Sequence, residues 1–283
     1  MTDEISLANV FDPTVPKNEI IYNHSIAFQC FLPVRSLPKE EDIYKTDNGN
    51  SSLIIHAGIL VNPTNPNEVE RCEVPAGSKA RLIFAYVNDQ LVKTGNPTIE
   101  MGENMHNFMI ENGIKPSGAN AAELVRQLKN IAAANVLIGV WEPGVSAGSV
   151  RLRFTEEDKF WLDKKNKTWK TTLTFSPEYV KSLGKRRVPV DFRALTALQA
   201  NPRAMDVYMW LSYRLRTVNS VDIIPWTTLH KLFGQGIAEL RNFKIHFKKA
   251  VAEAYKYYPA ARLGFDEEDY VELYYAPPPV PYK

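Results

Sequence analysis

Two cysteines in 283 residues, Cys30 and Cys72, are too few to make a disulfide framework. No apolar run approaches the roughly 20 residues a membrane span requires. The start, Met1-Thr2-Asp3-Glu4, is acidic where a secretory leader would be basic. A cytoplasmic protein without a membrane partner is expected. Excess charge of one sign is missing too: the net is only +2, so no strong field covers the whole molecule. The five histidines (His24, His56, His106, His230, His246) include neither H-x-H nor H-E-x-x-H, the spacings of a histidine-metal nicking site or a zinc hydrolase. A phosphate-cradling G-x-x-x-x-G-K-[ST] is absent: Gly77-Ser78-Lys79 has the wrong order, and Cys72 stands where the first glycine would be. No G-x-G-x-x-G follows a strand pattern. The chain is expected to carry no catalytic residue, no cofactor and no metal.

What is present is a globular composition, 45% apolar and 23% charged, at a length that suggests two domains. The charge is unevenly spread. Residues 1–50 have a balance of −4, whereas residues 159–187, with Lys164, Lys165, Lys167, Lys170, Lys185, Arg186 and Arg187 among them, have +7. Such asymmetry points to a polyanionic partner for part of the surface.

The most informative stretch runs from Trp226 to Pro259. A short apolar-periodic helix ends at Gly234-Gln235-Gly236, and a longer helical pattern follows from Ile237 to about Tyr257. Two helices joined by a Gly-bearing turn read as a helix-turn-helix. On the second helix Leu240, Phe243, Phe247, Val251 and Ala254 recur at three- and four-residue steps and need a core. Arg241, Asn242, Ile245, Lys248 and Lys249 fall on the other side, and the stretch carries six cations against Glu239 and Glu253. A recognition helix needs this division between an anchored apolar face and a cationic, hydrogen-bonding one. The plainer reading is an amphipathic, lysine-bearing surface helix. With Gln235 at the turn, these outward residues are the candidate base-reading set.

The first half repeats the order without repeating the sequence. KARLIFAYVNDQLVKTG, ENMHNFMIENG and AAELVRQLKNIAAANV are helical in rhythm, TIEMG is a short β segment, and VLIGVWE and VRLRF read as a hairpin. The basic KKNKTWK is expected at the tip of a continued hairpin ending in TTLTF. Upstream, SLIIHAGIL reads as one strand and PTNPNE as a loop. The expected fold is therefore α+β with tandem winged helices. Residues 1–50 form a partly ordered arm, 51–180 the first winged helix, 181–189 a linker and 190–283 the second winged helix. In the second unit IIPWTTLHKLFG should be one helix with Pro225 in its first turn, and ARLGF and YVELYY a wing. Backbone contacts to DNA are expected from Arg126 and Lys129 on the first unit's third helix and from Lys185, Arg186 and Arg187. The plainer reading leaves Arg126 and Lys129 solvated.

Several of these motifs together resemble the plasmid-encoded RepA-type replication initiators. Pro75, Gly77, Arg81 and Leu82, then Ile99, Gly102, Phe108 and Met109, then Gly113, Gly118, Leu124, Gln127 and Leu128 fill the family's positions in order. Trp226, Leu229, His230, Phe233 and Gly234, followed by Phe243, Phe247, Tyr258 and Pro259, continue the likeness, which spans roughly Arg35 to Leu263. The resemblance implies a protein that binds repeated double-stranded DNA sites (iterons) at a plasmid origin, helps open the duplex and recruits host replication initiator and helicase proteins. It also implies that the C-terminal winged helix reads bases, while the N-terminal one serves backbone contact and homodimer formation. A winged-helix transcriptional regulator acting as an autorepressor on operator DNA would need the same physics. A nicking enzyme for rolling-circle replication would need the histidine pair this chain lacks.

Overall fold

In the computed structural model, which describes residues 15–62, 65–101, 104–140, 148–153, 158–163 and 168–281, the period through Leu82, Ala85 and Val92 winds Gly77–Thr94 into helix α1. Gly95, at φ 67°, closes it by donating its amide to the Leu91 carbonyl. Residues on every side of α1 are buried, Arg81, Asn88 and Asp89 included, so this helix lies at the centre. Strand β6 (Thr98–Glu100) and helix α2 (Met105–Glu111) follow, and Ser117 caps helix α3 (Gly118–Ala133) by accepting the Asn120 amide at 3.1 Å.

The second unit begins with α5 (Phe192–Ala197) and α6 (Pro202–Arg214), the latter opened by an Asn201 cap and Pro202 in its first turn. Residues 223–225, expected to start the next helix, belong to strand β12 (Val221–Pro225) instead. Pro225 has no amide proton to lend, and it stands immediately before helix α7 (Trp226–Phe233). Helix α8 (Leu240–Tyr255) begins three residues later than the periodicity suggested, and the hairpin β13 (Leu263–Phe265) and β14 (Tyr270–Tyr274) forms as expected. The three strands pair in the order β12-β14-β13.

The first unit has the same plan, but not through the strands expected. After α3 come β7 (Asn135–Val140), β8 (Gly148–Arg153), β9 (Asp158–Asp163) and β10 (Thr168–Thr174). β9 and β10 join β6 in a sheet of order β6-β10-β9, the counterpart of β12-β14-β13. β7 and β8, the expected wing, belong to another sheet of order β2-β3-β7-β8, with β2 (Ile43–Asp47) and β3 (Ser51–His56). The SLIIHAGIL stretch is two strands rather than one. β3 ends at His56, and β4 (Ile59–Asn62) pairs with β5 (Asn65–Arg71), which takes up most of the expected PTNPNE loop. Of the basic tip expected over Lys164–Lys170, residues 164–167 lie outside the described residues and 168–170 begin β10.

The expected arm and linker pair with each other. β1 (Ile20–His24) runs antiparallel to β11 (Arg187–Asp191), which follows helix α4 (Pro177–Arg186), so residues 181–189 are helix and strand throughout. Beyond β1, Ile26, Phe28, Cys30 and Phe31 are buried. The apolar run from Ile26 to Leu32 is thus core, which its proline-flanked, charged surroundings disguise. At the centre, Arg81 of α1 donates through Nε and Nη2 to both carboxylate oxygens of Asp206 on α6, at 2.7 and 2.6 Å. Both side chains are about 4% exposed, and burial pushes the Asp206 carboxyl up against the opposing pull of Arg81. Among the described residues no helix is long and apolar enough to cross a membrane.

Candidate nucleic-acid interface

Helix α8 is anchored through aromatic rings. Phe243 and Phe247 are fully buried, and Phe247 meets Trp226, Phe233 and Trp210 with ring centroids 5.9, 5.3 and 6.3 Å apart. Burying rings of this size contributes roughly 1.5–3 kcal/mol each, enough to fix which face of α8 points outward.

That outward face separates into two groups. Arg241, Asn242, Ile245, His246 and Lys249 are exposed, and Arg241, Asn242, His246 and Lys249 make no hydrogen bond or ion pair among the described residues. Ile245 is 49% exposed, an apolar spot among polar neighbours. The lysines nearer the hairpin are occupied. Lys248 pairs with Glu267 at 2.6 Å, and Lys244 donates to the main-chain oxygens of Glu267 and Glu268 at 2.6 and 2.8 Å. Both ammonium groups lie over the Trp226 ring, at 5.9 and 5.4 Å from its centre. The expectation that Lys248 is freely offered is therefore corrected. It ties α8 to the acidic turn between β13 and β14, where Asp266 accepts the amides of Asp269 and Glu268, which hold its carboxyl below the usual range.

The turn before α8 is held from three directions. Arg203 of α6 donates to the carbonyls of Phe233 and Gln235, at 2.9 and 3.1 Å, and the His230 ring donates to the Ile237 carbonyl at 2.7 Å. A Cβ on Gly234 would sit 2.0 Å from the His230 ring, and Gly236 has φ +74°, so the turn requires both glycines. The third hold corrects the reading of Gln235. Its side-chain oxygen accepts the Val34 amide at 2.6 Å, so this side chain faces into the fold rather than out to a base. Val34 lies in a segment that joins the two units: Phe31 stacks on Phe233 at 4.8 Å, and the carbonyls of Leu32 and Pro33 accept from Arg81 at 2.7 and 3.1 Å. Nothing in the sequence marks this contact, whose partners are about 200 residues apart.

The first unit's cations are differently placed. Arg126 donates to Glu123 at 2.9 Å, to Ser36 at 3.0 Å and to Glu73, and the hydrogen bond with Glu123 holds its guanidinium charged above the usual range. Lys129 pairs with Glu70 of β5 at 2.6 Å. Both expectations of an offered charge, and the plainer one of simple solvation, give way to internal ion pairs. Glu123, three residues before Arg126, was a readable signal; Glu70 and Glu73 were not. Lys185 and Arg187 are exposed at the junction of α4 and β11, with the Arg187 guanidinium 5.9 Å from the centre of the Tyr22 ring; Arg186 is half-buried.

A family model described as plasmid encoded RepA protein matches residues 74–226, more than half of the chain. The crystal structure of the RctB domains 2-3 is similar over 87% of this chain and 94% of its own, with a TM-score of 0.52 and 12% identity. A structure of domain 2 and domain 3 of RctB, from a selenomethionine derivative, gives 0.51 at 10% identity, over 86% and 94%. At such identities the likeness is one of fold. No curated protein matches the chain.

Proposed function

The chain belongs to the plasmid encoded RepA protein family, the RepA-type replication initiators, and from that premise we propose that it binds repeated double-stranded DNA sites (iterons) at a plasmid origin, promotes duplex opening there and recruits host replication initiator and helicase proteins. Each unit is read as a winged helix. α3 and α8 stand in the recognition position, and β9–β10 and β13–β14 are the wings. The action is one of binding, with no catalytic step, cofactor or metal, and a homodimer is one assembly state of the protein.

The observation that carries this reading is the unpartnered outward face of α8. An arginine suits guanine N7 and O6, an asparagine suits adenine, and an exposed isoleucine suits a thymine methyl. Arg241, Asn242 and Ile245 supply one of each, and Lys249 adds a phosphate contact. The test is a titration of the full chain against a duplex carrying the origin repeat and against random duplex of equal length. Arg241→Ala is expected to cost about 1–3 kcal/mol on the repeat and much less on random DNA. Equal losses on both would move Arg241 to the phosphate-contacting class. A footprint over directly repeated sites is expected; protection confined to a single palindrome would favour the operator-binding regulator.

A further inference from the structure

Arg35 belongs to neither helix-turn-helix in sequence, but the fold lays it against the second one. Its guanidinium rests over Gly236, so close that a Cβ there would come within 3.1 Å of Nη2. It is held at that place from both sides. The Val34 amide is bound by Gln235, and the Ser36 hydroxyl accepts from Arg126 at 3.0 Å. Arg35 itself is exposed and makes no ion pair or hydrogen bond among the described residues. The tethered neighbours fix the Arg35 backbone beside the turn that precedes α8, and its side chain reaches over Gly236. The turn and the first residues of a recognition helix are what approach the duplex in helix-turn-helix docking.

We infer that Arg35 is a DNA-backbone contact of the second unit, delivered from the N-terminal segment, so that the surface offered to the duplex is built from both ends of the chain. This rests on the reading of α8 as the DNA-facing helix. A guanidinium matches phosphate with two parallel hydrogen bonds and carries no base information by itself. Gln235 then acts as a positioning residue, through the Val34 amide, rather than as a base reader.

The experiment uses the full chain and fluorescence anisotropy on a random-sequence duplex and on one carrying the origin repeat, over a range of salt concentrations. Arg35→Ala is expected to weaken both duplexes by a similar factor and to lower the magnitude of the log–log salt slope by about 0.9. Arg35→Lys should restore the slope, and Arg35→Gln, which keeps bulk over Gly236 without the charge, should behave as Arg35→Ala. Gln235→Ala, with the charge still present, should weaken both duplexes less than Arg35→Ala does. If Arg35→Ala and Arg35→Gln keep the parent slope while Arg241→Ala loses the repeat, this inference is overturned and the reading of α8 stands. If Arg241→Ala is silent as well, both fall together.

Discussion

On α3 the outward cations meet carboxylates of their own unit, Arg126 with Glu123 and Glu73, and Lys129 with Glu70. On α8, in the same place of the same plan, Arg241 and Lys249 face solvent without such partners among the described residues. The two units share the order helix, strand, helix, helix, strand, strand and the sheet pattern that closes it, apart from β7 and β8, which intervene after α3 and join another sheet. What separates them is the neighbourhood. α3 is flanked by β5 and by residues that follow the N-terminal segment, and both bring acids or hydroxyls to it. α8 is flanked by an acidic turn that two of its own lysines hold down. A helix's outward charges count as offered only after the charges brought by distant segments have been subtracted.

The largest expected effect breaks the comparison by separating the units. Asp206→Ala leaves the buried Arg81 guanidinium without its carboxylate, and the loss should be about 3–5 kcal/mol in urea denaturation. For the same reason a chain cut to residues 188–283 should unfold more readily than the parent, since Asp206 would then lack Arg81 and Phe233 would lack Phe31. Next comes acid. His24, on β1, is buried, and burial first and Arg186 second push its imidazole down to about 4 from 6.5. The folded state therefore stays neutral where the unfolded chain takes up a proton. Stability should fall as pH drops from about 6.5 towards 4, by about 3 kcal/mol in all, and His24→Gln should flatten that dependence. A third test sharpens the contrast directly. The Arg241→Ala, Lys249→Ala double variant should lower the salt slope of DNA binding by about 0.9, the share of the Lys249 phosphate contact, and should also lose preference for the repeat. The Arg126→Ala, Lys129→Ala pair should leave the slope near the parent value. The smallest effect belongs to Lys248→Ala, whose partner Glu267 is 80% exposed; stability should change by less than about 1 kcal/mol.

The sequence made α1, α3, α6 and α8 legible because each has a buried stripe of its own, and the turn at Gly234-Gln235-Gly236 because glycine is needed there. It misassigned the first wing because β7 and β9 look alike as short β-rich runs. Only pairing tells that Leu173 of β10 lies opposite Ile99 of β6, while Ile138 of β7 lies opposite Leu53 of β3. The linker failed for a related reason. Lys185, Arg186 and Arg187 look like a solvated hinge, yet the strand that Arg187 begins is completed by residues near the N-terminus. The exposed placement of Arg241, Asn242, Ile245 and Lys249 on α8 was legible from helix geometry alone. The intramolecular partners of Gln235, Arg126, Lys129 and Lys248 were not legible, because they lie 19 to 201 positions away, apart from Glu123 beside Arg126.

The pairing of β1 with β11 also sets a clock. Ile20 finds its partner only at Asp191, so the earliest strand among the described residues is completed by one made much later. At a synthesis rate of about 5–20 residues per second, that wait is on the order of ten to thirty seconds. Throughout it the apolar segment from Ile26 to Phe31 has no finished surface to cover it. The two units become one body only when the last third of the chain has emerged.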